Sequence, residues 1–402
     1  MPAVTQRTKY LILGAGPSGL AFAHTLLAAG EKCFVILEKE SEPGGLCRSI
    51  DVDGAPIDIG GGHFLDVRRQ PVLDLLFRFM PESEWNRHTR VAKIRLHGLE
   101  IDHPLEANLW QLPVATQVEY LESVARAGCV GGMETPTAFE DWCRWKFGAK
   151  IADDYMLPYN RKLWRIPLNR LGTYWLHKLP DVSFRETLLS CLQRQMHGAL
   201  PAHGEFLYPK SHGYGEVWRR MGAELGDRLI LNTPVRSIDL SNRSVNVSFS
   251  ADLIVNSIPW SIWRDANALP PAIAQAAAGL VNVPIDVDYH AGDAASPAHW
   301  IYEPDERIGY HRVLARSNFA PGSRGYWTET NARVSPAASG FRHRNEFAYP
   351  VNTLDKPELV QRIHAWAKSA HILPLGRWGY WEHMNSDVAV AMGITTAEAT
   401  LR

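Results

Sequence analysis

The strongest hydrophobic signal lies near the start of the chain. Tyr10 to Leu13 form a short unbroken apolar run, as a strand buried on both faces requires. A glycine-rich turn, "GAGPSG", follows, and then Leu20 to Ala29, a stretch of strong helix formers closed by Gly30. A second apolar run, "CFVILEKE", ends at Glu38. Strand, turn, helix and strand in this order predict a parallel βαβ unit. Between 70 and 200, apolar residues recur every three or four positions. This spacing predicts helices in "QPVLDLLFRFM", "QVEYLESVARAG", "AFEDWCRWKFGAKIADDYM" and "SFRETLLSCLQRQM". A hairpin and a loop are expected in "VAKIRLHGLEIDHPLEANLWQLP", between the first two. "PKSHGYGEVWRRMGAEL" reads as a glycine turn entering a helix. Short alternating strands then end in "ADLIVNSIP", a buried strand stopped by proline. Further short strands rich in Tyr, Trp and Val fill 281–350, followed by a helix in "PELVQRIHAWAKSA" and a small-residue helix headed by Asn385 and Asp387.

Composition narrows the class. At 402 residues the chain is long for a single core, so two or three domains are expected. A net charge of −1 offers no global basic field for nucleic acid or acidic membranes. No stretch approaches the roughly 20 apolar residues of a membrane span, and the apolar run after "MPAVTQRTK" is too short for a signal peptide. The five cysteines are scattered, with no CxxC pair, which argues against a disulfide framework or a metal site and suits a reducing cytoplasm. Fourteen Trp and thirteen Tyr are many, and such side chains line sugar and ring-system pockets as well as cores.

Gly14, Gly16 and Gly19 spell G-x-G-x-x-G between strand and helix, and Glu38 follows 24 residues after Gly14. The glycines let the backbone approach a pyrophosphate, the helix N-terminus attracts its charge, and the acid meets a ribose hydroxyl. Gly44 and Gly45 come six and seven residues after Glu38, with Arg48 just beyond. This E-x-x-x-x-x-G-G-x-x-R spacing resembles the glutathione-reductase-type FAD-binding domain, in its amine-oxidase and UDP-galactopyranose-mutase branch. The resemblance gives meaning to "DIGGGHFLDV", residues 58–67. In that branch Gly61 and Gly62 would lie against the flavin ring, where any Cβ would collide, and His63 would reach the ring's N5–C4 edge. Val235 would pass the adenine.

Three later segments extend the likeness: "YNRKLWRIP", "HWIYEPDERIGYHRVLARSNFAP" and "GRWGYWEHMNSDVAVAMG". Together they resemble UDP-galactopyranose mutases, especially the eukaryotic-like branch, over nearly the whole chain. The resemblance implies an α/β fold: a glutathione-reductase-type FAD-binding Rossmann domain in three pieces (1–75, 205–265, 365–402). A mostly helical insertion (76–204) and an antiparallel-sheet substrate domain (266–364) would complete it. It also implies that Asn160, Trp164, Trp300 and Tyr302 border a nucleotide-sugar cleft, that Arg312 holds a pyrophosphate, and that Arg377, Asn385 and Asp387 contact FAD. The chain departs from the family pattern at Leu179, where a second pyrophosphate arginine is expected, leaving Lys178 beside it. Phe319 and His383 stand where tyrosines are expected, His383 at a substrate-binding position.

Two functions follow from these readings. One is a nucleotide-sugar ring mutase in which reduced FAD attacks the anomeric carbon through N5, with His63 and Arg312 as the catalytic side chains. An external reductant such as NAD(P)H would then be a partner. The other is an FAD-dependent oxidase or desaturase of the amine-oxidase type, which shares residues 1–63 in full and gains weight from the altered phosphate contacts.

Overall fold

The computed structural model describes residues 6–176, 182–198, 204–338 and 340–402. Its first sheet is organised by the strand Gln6–Leu13, whose last four residues are buried. That strand pairs in parallel with Phe34–Leu37 on one side and Phe249–Asn256 on the other. Leu229–Ile230 extends the sheet beyond Phe34–Leu37. Beyond Phe249–Asn256 the edge is shared: Ile372–Pro374 pairs in parallel with its end, and Ser244–Val245 runs antiparallel to its start. Pieces far apart in the chain thus meet in one sheet with a parallel centre, as the hydrophobic runs require for burial on both faces.

The helix Pro17–Ala28 leaves this sheet through Gly16 and carries Pro in its first turn, where the missing N–H costs nothing. Small residues let it pack closely on the C-terminal helix Ser386–Leu401. A Cβ on Gly393 would stand 2.8 Å from Ala21 Cβ, so only glycine permits this approach. The contact brings the last segment of the chain over the first glycine turn.

The second sheet is mainly antiparallel and runs Arg342–Pro350, Asn282–His290, Tyr326–Asn331, Arg312–Leu314, Trp300–Tyr302, Ala92–Leu96, Leu99–Asp102. Its last two strands are the hairpin expected from "VAKIRLHGLEID", and they join through a parallel pairing with Trp300–Tyr302.

The expected long helix over 138–156 is interrupted. Phe139–Ile151 carries Gly148 at φ 73°, packed against the Ser123 carbonyl where no side chain would fit, and a π-helical turn, Ala152–Met156, follows. Glycine supplies the left-handed conformation that the kink needs, and the π turn leads into Leu157–Trp164. Among the described residues no helix is long and apolar enough to cross a membrane.

Candidate active site

A cleft of about 330 Å³ lies between the parallel sheet and the strand Arg342–Pro350. Gly14, Gly16, Glu38, Gly45, Arg48, His63, Val235, Arg377, Met384 and Ser386 are among the residues that line it. The glycines differ in what they do. Gly14 adopts φ 96° beside Ser257, and Gly19 sits where a Cβ would overlap the Gly14 carbonyl, fixing helix against strand. Gly16 alone of the three faces open space, and a Cβ added there would meet no protein atom within 4 Å. Gly16 caps a helix with no side-chain hydrogen bond to its first N–H groups. The cradle therefore offers free donors and the positive end of a helix to an anion.

Glu38 is buried. Its carboxylate accepts hydrogen bonds from Ala15 N (2.7 Å) and Glu40 N (3.0 Å). Burial raises its pKa, and the two N–H groups work against that. Arg48 donates Nε to the Gly45 carbonyl at 3.0 Å and Nη1 to Glu40 at 3.3 Å, which pins the second glycine turn. Arg377 donates to the carbonyls of Ala348 (2.8 Å) and Met384 (2.6 Å), so its cationic head is held rigidly on the cleft wall. An open helix end, a buried acid and a rigid cation on one cleft fit FAD.

His63 lines the same cleft, half-buried. Its Nδ1 lies 3.1 Å from the Gly61 carbonyl, and Tyr214 stacks parallel to it at 6.4 Å. Desolvation, helped by Arg377, pushes its pKa down to about 4, so the ring is neutral at pH 7.

The protein's own packing also requires the preceding glycines. A Cβ on Gly60 would overlap the Leu46 carbonyl, one on Gly61 the Glu329 carboxylate, and one on Gly62 the Leu314 side chain. Neither Gly61 nor Gly62 is on the cleft wall. Asn345 Nδ2 ties the turn down further through the Ile59 carbonyl at 2.6 Å.

Arg312 is already committed through two of its nitrogens. Its Nε and Nη2 fork onto the fully buried Glu329 at 2.6–2.9 Å, and Nη2 also reaches the Tyr349 hydroxyl at 3.2 Å. Burial works to raise the Glu329 carboxyl, but Arg312 outweighs it and holds the group ionised.

The other expected substrate residues gather around this pair. Trp164 Nε1 donates to Asn160 Oδ1 (2.8 Å), Trp300 Nε1 to the Tyr302 hydroxyl (3.1 Å), and His383 stacks on Tyr349 at 5.3 Å. Trp164 meets Tyr349 edge-on, and Tyr159 meets Tyr302 likewise.

Two residues expected at FAD do not line this cleft. Asn385 and Asp387 are not cleft residues, and Asp387 is turned onto Arg69 at 2.8 Å; Ser386 and Ala389 face the cleft instead. Helical spacing explains this, because the face carrying 386 and 389 excludes 387. Lys178 and Leu179 lie outside the described residues. Phe319 is fully buried among Phe64, Tyr208 and Trp327. Sequence reasoning missed Glu329, Tyr349 and Asn345, which carry no local motif. Among the described residues no acidic, histidine and cysteine cluster could hold a metal.

This fold and cleft define a dinucleotide-binding flavoprotein. The chain belongs to the flavin-containing amine oxidoreductase family, whose model matches residues 17–287, about two thirds of it. It is a flavin-dependent enzyme of that superfamily. Among solved structures it is similar to reduced UDP-galactopyranose mutase, at 22% identity over 98% of this chain and 94% of that one, with a TM-score of 0.88. A candidate protoporphyrinogen oxidase from Exiguobacterium sp. 255-15 aligns over 99% of both chains at 16% identity and a TM-score of 0.73. Cyclohexylamine oxidase from Brevibacterium oxydans IH-35A aligns over 98% and 100% at 15% identity and 0.67. At these identities the likeness is one of fold.

Proposed function

We propose that this protein is a flavin-dependent ring mutase of the UDP-galactopyranose-mutase type, acting on a glycosyl nucleotide. The observation that carries the reading is the meeting of side chains from separate motifs at one place. Trp164, Arg312 and His383 converge on Tyr349, while Trp300 and Tyr159 converge on Tyr302. Aromatic faces with hydroxyl and guanidinium donors between them suit a sugar and its phosphate.

Reduced FAD, when bound, supplies a nucleophilic ring nitrogen for the anomeric carbon. The protein's own residues orient and discriminate. Gly16 and the open helix end hold the pyrophosphate of the cofactor, and Glu38 its ribose. Neutral His63 would give or take one hydrogen bond without adding charge, and Arg377, held by its carbonyl anchors, would supply a fixed cation to the cofactor. The aromatic shell around Tyr349 excludes water from the reacting carbon.

One observation favours the rival, an FAD-dependent oxidase or desaturase. The charge of Arg312 is already neutralised by Glu329, as suits a substrate without a pyrophosphate. Anaerobic turnover of candidate nucleotide sugars by dithionite-reduced protein, compared with the oxidised protein in air, separates the two. The mutase reading expects furanose product from the reduced form alone. Turnover by the oxidised form alone, with oxygen consumed and peroxide released, overturns it.

A further inference from the structure

We propose that Glu329 is a positioning residue that sets the charge of the substrate site, so that Arg312 meets its ligand as a neutralised, single-edged donor and not as a free cationic fork. This rests on the substrate site being the cluster around Arg312 and Tyr349.

The strand register makes the pairing. Arg312 and Glu329 stand directly opposite each other on Arg312–Leu314 and Tyr326–Asn331, so their side chains leave one face of the sheet side by side. Glu329 is fully buried, whereas the Arg312 side chain keeps 20% of its exposure, so the carboxylate lies behind and the guanidinium in front. Two nitrogens of the guanidinium, Nε and Nη2, are spent on Glu329, and only the Nη1 edge is left for a ligand.

The same carboxylate accepts the Gly62 N–H at 3.3 Å and occupies the space that a Gly61 side chain would need. His311, also buried, places Nε2 3.6 Å away on the Glu329 side. Glu329 therefore joins the turn that presents His63 to the residue that meets the substrate. A buried carboxylate paired this closely cancels most of the field that Arg312 would otherwise project toward a phosphate. A ligand there gains a directed hydrogen bond and little net Coulomb attraction.

The test uses the flavin-loaded protein and two probes, UDP and inorganic pyrophosphate, titrated calorimetrically at two salt concentrations. Glu329→Gln keeps the shape and one acceptor but removes the charge. It should retain flavin and bind both probes at least tenfold more tightly than wild type, with a steeper salt dependence. The double variant R312Q/E329Q has the wild-type net charge and loses only the Nη1 hydrogen bond, so it should bind within about tenfold of wild type.

The proposal is overturned if Glu329→Gln keeps its flavin but binds both probes no better than wild type. Should Glu329→Gln fail to fold, a loss well beyond tenfold in R312Q/E329Q overturns it equally, because Arg312 would then be acting as an unneutralised cation. If wild type ignores UDP and Glu329→Gln gains pyrophosphate binding, the charge role of Glu329 stands and the nucleotide-sugar reading falls.

Discussion

Gly16 and Gly19 belong to one fingerprint, yet replacing them should have opposite consequences. At Gly16 the backbone has φ −75° and ψ 178°, which any L-residue adopts, and a Cβ would meet no protein atom within 4 Å. Gly16→Val should therefore cost the flavin-free protein no more than about 1 kcal/mol, chiefly through a poorer N-cap. Its side chain would fill the cradle, displacing a pyrophosphate from the helix end. Losing two charge-assisted contacts of about 1.5–3 kcal/mol each predicts flavin binding weaker by roughly a hundredfold or more. At Gly19 a Cβ overlaps the Gly14 carbonyl, a backbone atom that cannot swing aside. Gly19→Ala should cost about 3 kcal/mol in fold stability, at the upper end of overpacking penalties. Flavin absorbance per mole of purified protein and denaturant melts of flavin-stripped samples read the two effects separately. Full flavin content in Gly16→Val would refute the cradle, and a wild-type melt for Gly19→Ala would refute the packing account.

Arg312→Ala should lower stability as well as binding, because it strands the Glu329 charge in the core at a cost of about 3–5 kcal/mol. The added change Glu329→Gln should recover more than half of that, and a wild-type melting temperature for Arg312→Ala alone would contradict it. Asp58 is fully buried, and burial raises its pKa to about 7 against hydrogen bonds from Ser49 and Tyr214. Because this value lies above that of the unfolded chain, stability from Asp58 is complete below pH ~4 and lost as pH rises through 7, a span worth about 4 kcal/mol. Asp58→Asn should thus raise the melting temperature at pH 8 and do little at pH 4; equal effects at both would count against burial as the cause. Denatured protein should release FAD rather than FMN, identified by chromatography, since Glu38 and the glycine cradle together need a dinucleotide.

Much of the cofactor half was legible because its signals are local. The apolar run, G-x-G-x-x-G, helix formers and Glu38 all fall within about thirty residues, and period and turn chemistry alone predict a strand, turn, helix and strand there. Arg48, Val235 and Arg377, which the family resemblance assigned to FAD, all line the cleft. The identity of the residue facing a site was less legible: near 386, one step of helical phase turns Asp387 onto Arg69 and gives the cleft Ser386 and Ala389.

Tertiary structure alone decided what the three glycines of "DIGGGHFLDV" are for. Their missing side chains make room for Leu46, Glu329 and Leu314, of which the last two are more than 250 residues away in the chain. Nothing near Arg312 in the sequence announces Glu329, because their pairing depends on where two strands begin and how they register. Local rules of spacing determine which backbone the chain builds. Which charges cancel is settled only when sheets pack and register brings distant side chains within 3 Å, since a charge pair is strong only at short range and away from water.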